Sequence, residues 1–114
     1  MQAATGPQFL GDKLDAARFS TFVAEVLTTP AVRAQFRQAL HDDRRALLQL
    51  LAAHEVPALA EWCHFAGGAI SMLDQPYLTS LIQSFRDRLR AGDPAEARSA
   101  GEVLVVMYDH LVAA

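Results

Sequence analysis

The sequence lacks the features that mark most secreted, membrane-spanning and nucleic-acid-binding proteins. It contains one cysteine, Cys63, so an internal disulfide bond is impossible. No apolar run approaches the roughly 20 residues that span a bilayer, and the N-terminal residues lack a basic segment followed by an apolar one. The formal net charge of -3 gives no general reason to bind nucleic acid. We therefore expect a cytoplasmic protein without membrane contact.

Strand-like alternation is also nearly missing. Only the short run 103–106 shows it, and the helical periodicity around that run overrides it. What the chain does have is 114 residues, 52% of them hydrophobic and 20% charged, which is typical of one globular domain that buries a core. We expect an all-α domain over residues 12–114, preceded by a flexible leader over residues 1–11.

Apolar residues recur at helical spacing in five segments. Pro30, Pro76 and Pro94 each suit the first position of a helix, and Gly92 suits the left-handed position after one. The predicted helices cover about 12–27, 30–53, 57–73, 76–91 and 94–112. Because the connections are short, the last four helices should form an antiparallel up-and-down four-helix bundle, with the first helix packed across one end.

The third predicted helix contains the most informative stretch. Its apolar stripe consists of Val56, Leu59, Cys63, Ala66, Ile70 and Leu73. A second row should face solvent, and it consists of Pro57, Glu61, His64, Gly68 and Ser71.

Gly67 and Gly68 lie three and four residues after His64, on the turn that flanks its side chain. Two glycines inside a helix are costly, so they either leave the imidazole open to another protein or mark a kink or close helix packing.

Other candidate sites are weaker. His41, His54 and His110 suit structural or solvated roles near the flanks and ends of helices. Cys63 and His64 make a poor zinc pair, because adjacent helical residues point about 100° apart and no second ligand pair follows. Arg86, Arg88 and Arg90 alternate on two sides of their helix, which suits a solvated face. The sequence shows no catalytic triad, no phosphate-cradling glycine loop and no clustered carboxylates.

The chain from about Ala31 onward resembles the histidine-containing phosphotransfer (HPt) domains of two-component phosphorelays. The motif of that family is a histidine followed by leucine, lysine, glycine and a small residue at the second to fifth positions, with a frequent glycine at the tenth. His64 occupies the histidine position, Gly68 the glycine position and Ala69 the small position. The sequence departs from the motif at Ala66, Gly67 and Asp74, where leucine, lysine and glycine are common.

The resemblance implies that His64 accepts a phosphoryl group from a receiver-domain aspartate and passes it to another receiver. The receiver would supply Mg²⁺, so this chain would need no cofactor of its own. A cation that replaces the missing lysine would come from the partner or from another helix, such as the second with Arg33, Arg37, Arg44 and Arg45. The docking face would consist of Glu61, Phe65, Gly67, Gly68 and Ser71. Phe65 could instead be buried against the neighbouring helix. The domain would act as a monomeric phosphohistidine carrier, free-standing or as the C-terminal module of a hybrid sensor histidine kinase.

Two alternatives remain at this point. In the first, the domain is a degenerate HPt or helical interaction module that docks a receiver without accepting phosphate, which the missing lysine would favour. In the second, it is an unrelated helical bundle. The relay and docking interpretations both require an exposed His64, whereas a buried His64 would favour the unrelated bundle.

Overall fold

A computed structural model describes residues 14–113, and within that range the chain is all-helical without strands. The five helices are α1 (Ala16–Glu25), α2 (Pro30–Ala53), α3 (Val56–Ser71), α4 (Pro76–Ala91) and α5 (Pro94–Ala113). The all-α prediction is confirmed, whereas the predicted leader lies outside the described residues. None of these five helices combines the length and apolar character needed to cross a membrane.

Local capping explains why the predicted boundaries of α2, α4 and α5 are close to those observed. The Thr29 side chain accepts a hydrogen bond from the Val32 amide at 3.2 Å, which caps α2. Gly92 ends α4 in the left-handed conformation, with φ of 78°. The Asp93 carboxylate then accepts hydrogen bonds from two amides of the first turn of α5, at 3.0 and 3.1 Å.

The boundaries of α1 and α3 differ from the prediction. Helix α1 begins at Ala16 rather than near residue 12, because the Asp15 side chain accepts from the Arg18 amide and caps it there. It ends at Glu25, two residues before the predicted end. Helix α3 ends at Ser71, and the turn that follows places Asp74 in the left-handed region, with φ of 54°.

The core lies between α2, α3, α4 and α5. Helix α2 contacts α3, α3 contacts α4, α4 contacts α5, and α5 contacts α2. The fully buried side chains of the largest volume include Leu47, Ile70, Leu78, Phe85 and Tyr108. Val56, placed on the apolar stripe by its spacing, is instead 49% exposed, because it begins α3 at the rim of the core.

Helix α1 is attached to the turn between α3 and α4. Gln75 is buried, its Oε1 accepts from the Asp15 amide at 2.7 Å, and its Nε2 donates to the Asp15 carbonyl at 2.9 Å. Arg18 adds an ion pair with Asp74 at 2.8 Å. The rings of Phe22 and Phe36 lie 5.4 Å apart, which joins α1 to the first half of α2.

An apolar cavity of about 310 Å³ lies where other helix ends meet. Its lining includes residues at the C-terminal end of α2, the N-terminal end of α3, the C-terminal end of α4 and the N-terminal end of α5. Leu51, Val56, Leu89 and Pro94 represent these four ends in turn.

Candidate functional site at His64

Helix α3 presents His64 to solvent by burying the opposite side. Cys63, Ala66 and Ile70 of its apolar stripe are buried in the core. The second row, predicted to face solvent, is exposed at every position, which confirms that part of the prediction. His64 therefore satisfies the exposure condition on which the interpretations of its role depend.

The two glycines after His64 have different surroundings. A Cβ atom built on Gly68 would have no neighbouring atom within 4 Å, so this position is open. A Cβ atom on Gly67 would lie 3.7 Å from Cγ2 of Ile82, an ordinary contact with α4. Helix α3 continues through both residues. Gly68 thus leaves free space beside the imidazole, and Gly67 lies where α3 meets α4.

Two large apolar side chains are exposed near His64. Phe65 is 69% exposed and Met72, one residue beyond α3, is 65% exposed. The alternative that Phe65 is buried against a neighbouring helix is therefore wrong. The Phe65 ring lies 5.4 Å from the His64 ring at 72°, an edge-to-face arrangement. Exposed aromatic and methionine side chains are enriched in protein interfaces, so this pair is suited to contact a partner.

We call the exposed surface around the histidine the His64 face. It comprises Glu61, His64, Phe65, Gly68, Ser71 and Met72. Ser71 donates its hydroxyl hydrogen bond to the Gly68 carbonyl at 2.7 Å, so its side chain stays close to the helix. The sequence did not predict Met72, although its position seven residues after Phe65 places the two on nearly the same side of a helix.

The Cys63 thiol is unreactive at neutral pH, although Cys63 is next to His64 in the chain. Its side chain is fully buried, and burial raises the pKa of the thiol to about 11. The Arg86 guanidinium on α4 is close enough to lower that pKa in part. Because the thiolate is the reactive form, Cys63 is a poor nucleophile at neutral pH. Within residues 14–113, no three His, Cys, Asp or Glu side chains are grouped to hold a metal ion.

The arginines of α2 do not provide a cation for the face. Helix α2 lies against Trp62, whose Nε1 donates to the Asp43 carbonyl at 3.1 Å. Trp62 and His64 are two residues apart and therefore point about 200° apart around α3. Three of these arginines have partners elsewhere: Arg33 donates to the Leu27 carbonyl, Arg44 forms an ion pair with Asp109 of α5, and Arg45 lies 3.7 Å from Asp42. The expectation that Arg33, Arg37, Arg44 or Arg45 replaces the usual lysine is thus not supported.

The remaining histidines lie away from this face. His41 is exposed on α2, and His54 ends that helix in the left-handed conformation, with φ of 55°. His110 lies in the last turn of α5, where a cation suits the helix dipole.

Comparison of the chain with protein-family models, with curated proteins and with solved structures found no match. The interpretation of the site therefore depends on the His64 motif and on the geometry of α3 and its neighbours.

Proposed function

We propose that this domain is a phosphorelay intermediate of the HPt type, with His64 as the phosphorylated residue. The observation that carries the proposal is an exposed imidazole in the middle of a rigid helix, followed by an open glycine at the fourth position. The core behind α3 fixes the position of His64, so only the partner has to approach.

The proposed chemistry is an exchange of one bond to phosphorus for another. The Nε2 lone pair of the neutral imidazole attacks the phosphorus of a receiver aspartyl phosphate. The Nε2–P bond forms while the P–O bond breaks, and the receiver carboxylate leaves with the bonding electron pair. A second receiver aspartate reverses the step. The receiver holds the Mg²⁺ that balances phosphate charge, and this chain positions the histidine.

The partner would be a receiver domain that docks on the His64 face. Phe65 and Met72 offer apolar contact area on one side of His64, and Gly68 leaves room for the partner backbone. Truncation of an exposed aromatic residue in an interface of this kind often costs more than 1 kcal/mol of binding free energy. The domain would act as a monomer in the cytoplasm, free-standing or as a module of a hybrid sensor kinase.

We also propose that α2 to α5 form an antiparallel up-and-down four-helix bundle, with α1 across one end. Two observations support this topology. The cavity described above is lined by alternating C-terminal and N-terminal helix ends, in the order that an up-and-down path requires. A second groove is lined by α1 together with the first half of α2 and Leu111 near the end of α5.

A second candidate is a docking module that binds a receiver without accepting phosphate. Gly67 favours it, because lysine is common at that position and α3 carries no Lys or Arg at all. The same face would be used, so the two candidates differ in chemistry and not in partner.

The experiment is transfer of labelled phosphate from a panel of phosphorylated receiver domains to this protein and to its His64→Gln variant. We expect acid-labile label on the parent and none on the variant. A receiver that binds both proteins but labels neither would support the docking module. Absence of both binding and label with every receiver would contradict both candidates.

A further inference from the structure

A phosphoryl group on His64 would carry negative charge that α3 cannot balance. Helix α3 contains no Lys or Arg, and its one acidic side chain is the carboxylate of Glu61. Charge-assisted hydrogen bonds to phosphate oxygens are among the strongest that proteins make, and arginine is well suited to them. A cation for this site therefore has to come from a neighbouring helix or from the partner.

Helix α4 runs beside α3 in the opposite direction around residues 62–67 of α3. A Cβ atom on Gly67 would contact Ile82, and the Trp62 ring lies 6.4 Å from the Phe85 ring. Earlier residues of α3 thus lie beside later residues of α4. His64 is one turn before Gly67, and Arg86 is one turn after Ile82.

The side of α4 that bears Arg86 faces α3. Ile82 and Arg86 are four residues apart and so lie on the same side of their helix. The other flank of α4, with Leu81, Ser84 and Arg88, lines a groove with α5 instead. Arg86 therefore lies on the side of α4 that packs against α3, one turn from the contact between Ile82 and Gly67 and at the level of His64.

Arg86 also differs from its neighbouring arginines in its partners. Arg88 lies 3.7 Å from Glu96, and Arg90 lies 3.9 Å from Asp87. Arg86 forms no ion pair with any carboxylate within the described part of the chain. It is only partly exposed, and it is close enough to Cys63, the residue next to His64, for its charge to lower the pKa of that thiol. The sequence had suggested only a solvated role for it.

We propose that Arg86 of α4 is the cation that binds the phosphoryl group on His64 of the adjacent helix α3. This inference rests on the proposed function. As the Nε2–P bond forms, the guanidinium donates N–H hydrogen bonds to the phosphoryl oxygens, and no proton is transferred. A cation on α4 would allow position 67 to be a glycine, since the charge arrives from the adjacent helix.

The test uses potassium phosphoramidate, a small donor that phosphorylates histidine without a receiver domain. Label at His64 is followed by peptide mapping in the parent, Arg86→Gln, Arg86→Lys and the matched control Arg90→Gln. His41, exposed on α2, serves as an internal standard in each sample. Loss of one charge-assisted hydrogen bond is worth about 1.5 kcal/mol or more, so His64 labelling in Arg86→Gln should fall roughly tenfold relative to His41.

Arg86→Lys should keep most of the labelling rate, because the charge is retained, and Arg90→Gln should change it by less than about twofold. Equal labelling of His64 in Arg86→Gln and Arg90→Gln would overturn the assignment of Arg86, while leaving transfer from receivers intact. Failure of every receiver to label the parent would instead contradict the proposed function. The phosphoramidate labelling rates would still show whether Arg86 contributes to phosphorylation of His64.

Discussion

Replacing Gly68 with alanine should stabilise the protein and weaken its function. The residue lies inside α3, and a Cβ atom there would have no neighbour within 4 Å. Alanine is favoured over glycine inside a helix by about 0.5–1 kcal/mol, and nothing in the fold opposes that gain. For a domain of this size, the gain corresponds to a rise in Tm of roughly 2–8 °C.

The added methyl group would occupy the free space beside His64 on the His64 face. We therefore expect Gly68→Ala to transfer phosphate from a receiver more slowly, roughly tenfold, because a partner backbone could no longer approach as closely. Thermal unfolding followed by circular dichroism gives the stability, and labelled transfer gives the function.

Gly101→Ala is the matched control, because it is the same change inside another helix. A Cβ atom there would lie 2.7 and 3.0 Å from the Cδ atoms of Leu51 and 3.3 Å from Cε1 of Phe85. Crowding costs about 1–3 kcal/mol and should exceed the helix gain, so this variant should be less stable by roughly 1 kcal/mol. A destabilised Gly68→Ala variant would show that position 68 is not open, and a stabilised variant that transfers phosphate normally would show that the partner does not need the space beside His64.

Three further predictions concern Gln75, Phe65 and Cys63. Gln75→Ala should lower the free energy of unfolding by about 1–3 kcal/mol in urea titrations, because both hydrogen bonds to the Asp15 backbone are lost. Hydrogen exchange at the Asp15 amide should become faster, and an unchanged exchange rate would contradict the role of Gln75. Phe65→Ser should leave stability within about 0.5 kcal/mol yet weaken receiver binding, measured by calorimetry, by roughly tenfold, whereas Leu48→Ser on α2 should not affect binding. Burial raises the pKa of the Cys63 thiol to about 11 in the folded protein, against 9.0 for an ordinary thiol. Because the unfolded chain loses this proton at lower pH, the free energy of unfolding should fall from pH 9 to 11 more steeply in the parent than in Cys63→Ala. Equal slopes for the two proteins would show that the thiol is not desolvated.

The sequence predicted the helices best where a local signal sets the boundary. Thr29 with Pro30 begins α2, and Gly92 with Asp93 separates α4 from α5, each through bonds within a few residues. The start of α1 was wrong because it depends on Asp15, whose backbone is held by Gln75, 60 residues away in the chain. Periodicity in one segment contains no information about a bond of that kind.

The same distinction applies to the candidate site. The exposure of His64 and the burial of Cys63 follow from the period of one helix, and both were predicted. The location of Arg86 beside α3 depends on how two helices align, and its spacing within α4 suggested only a solvated position. Trp62 was likewise not assigned to the core, although α2 provides a partner for its indole N–H.

Phosphorylation of His64 is best tested by mass spectrometry of the protein after incubation with a phosphorylated receiver domain, with the sample kept at neutral to alkaline pH so that phosphohistidine survives. We expect a gain of one phosphoryl group, mapped to the peptide that contains His64 and absent from His64→Gln. A phosphoryl group found on another residue, or an unmodified protein in a stable complex with the receiver, would contradict it.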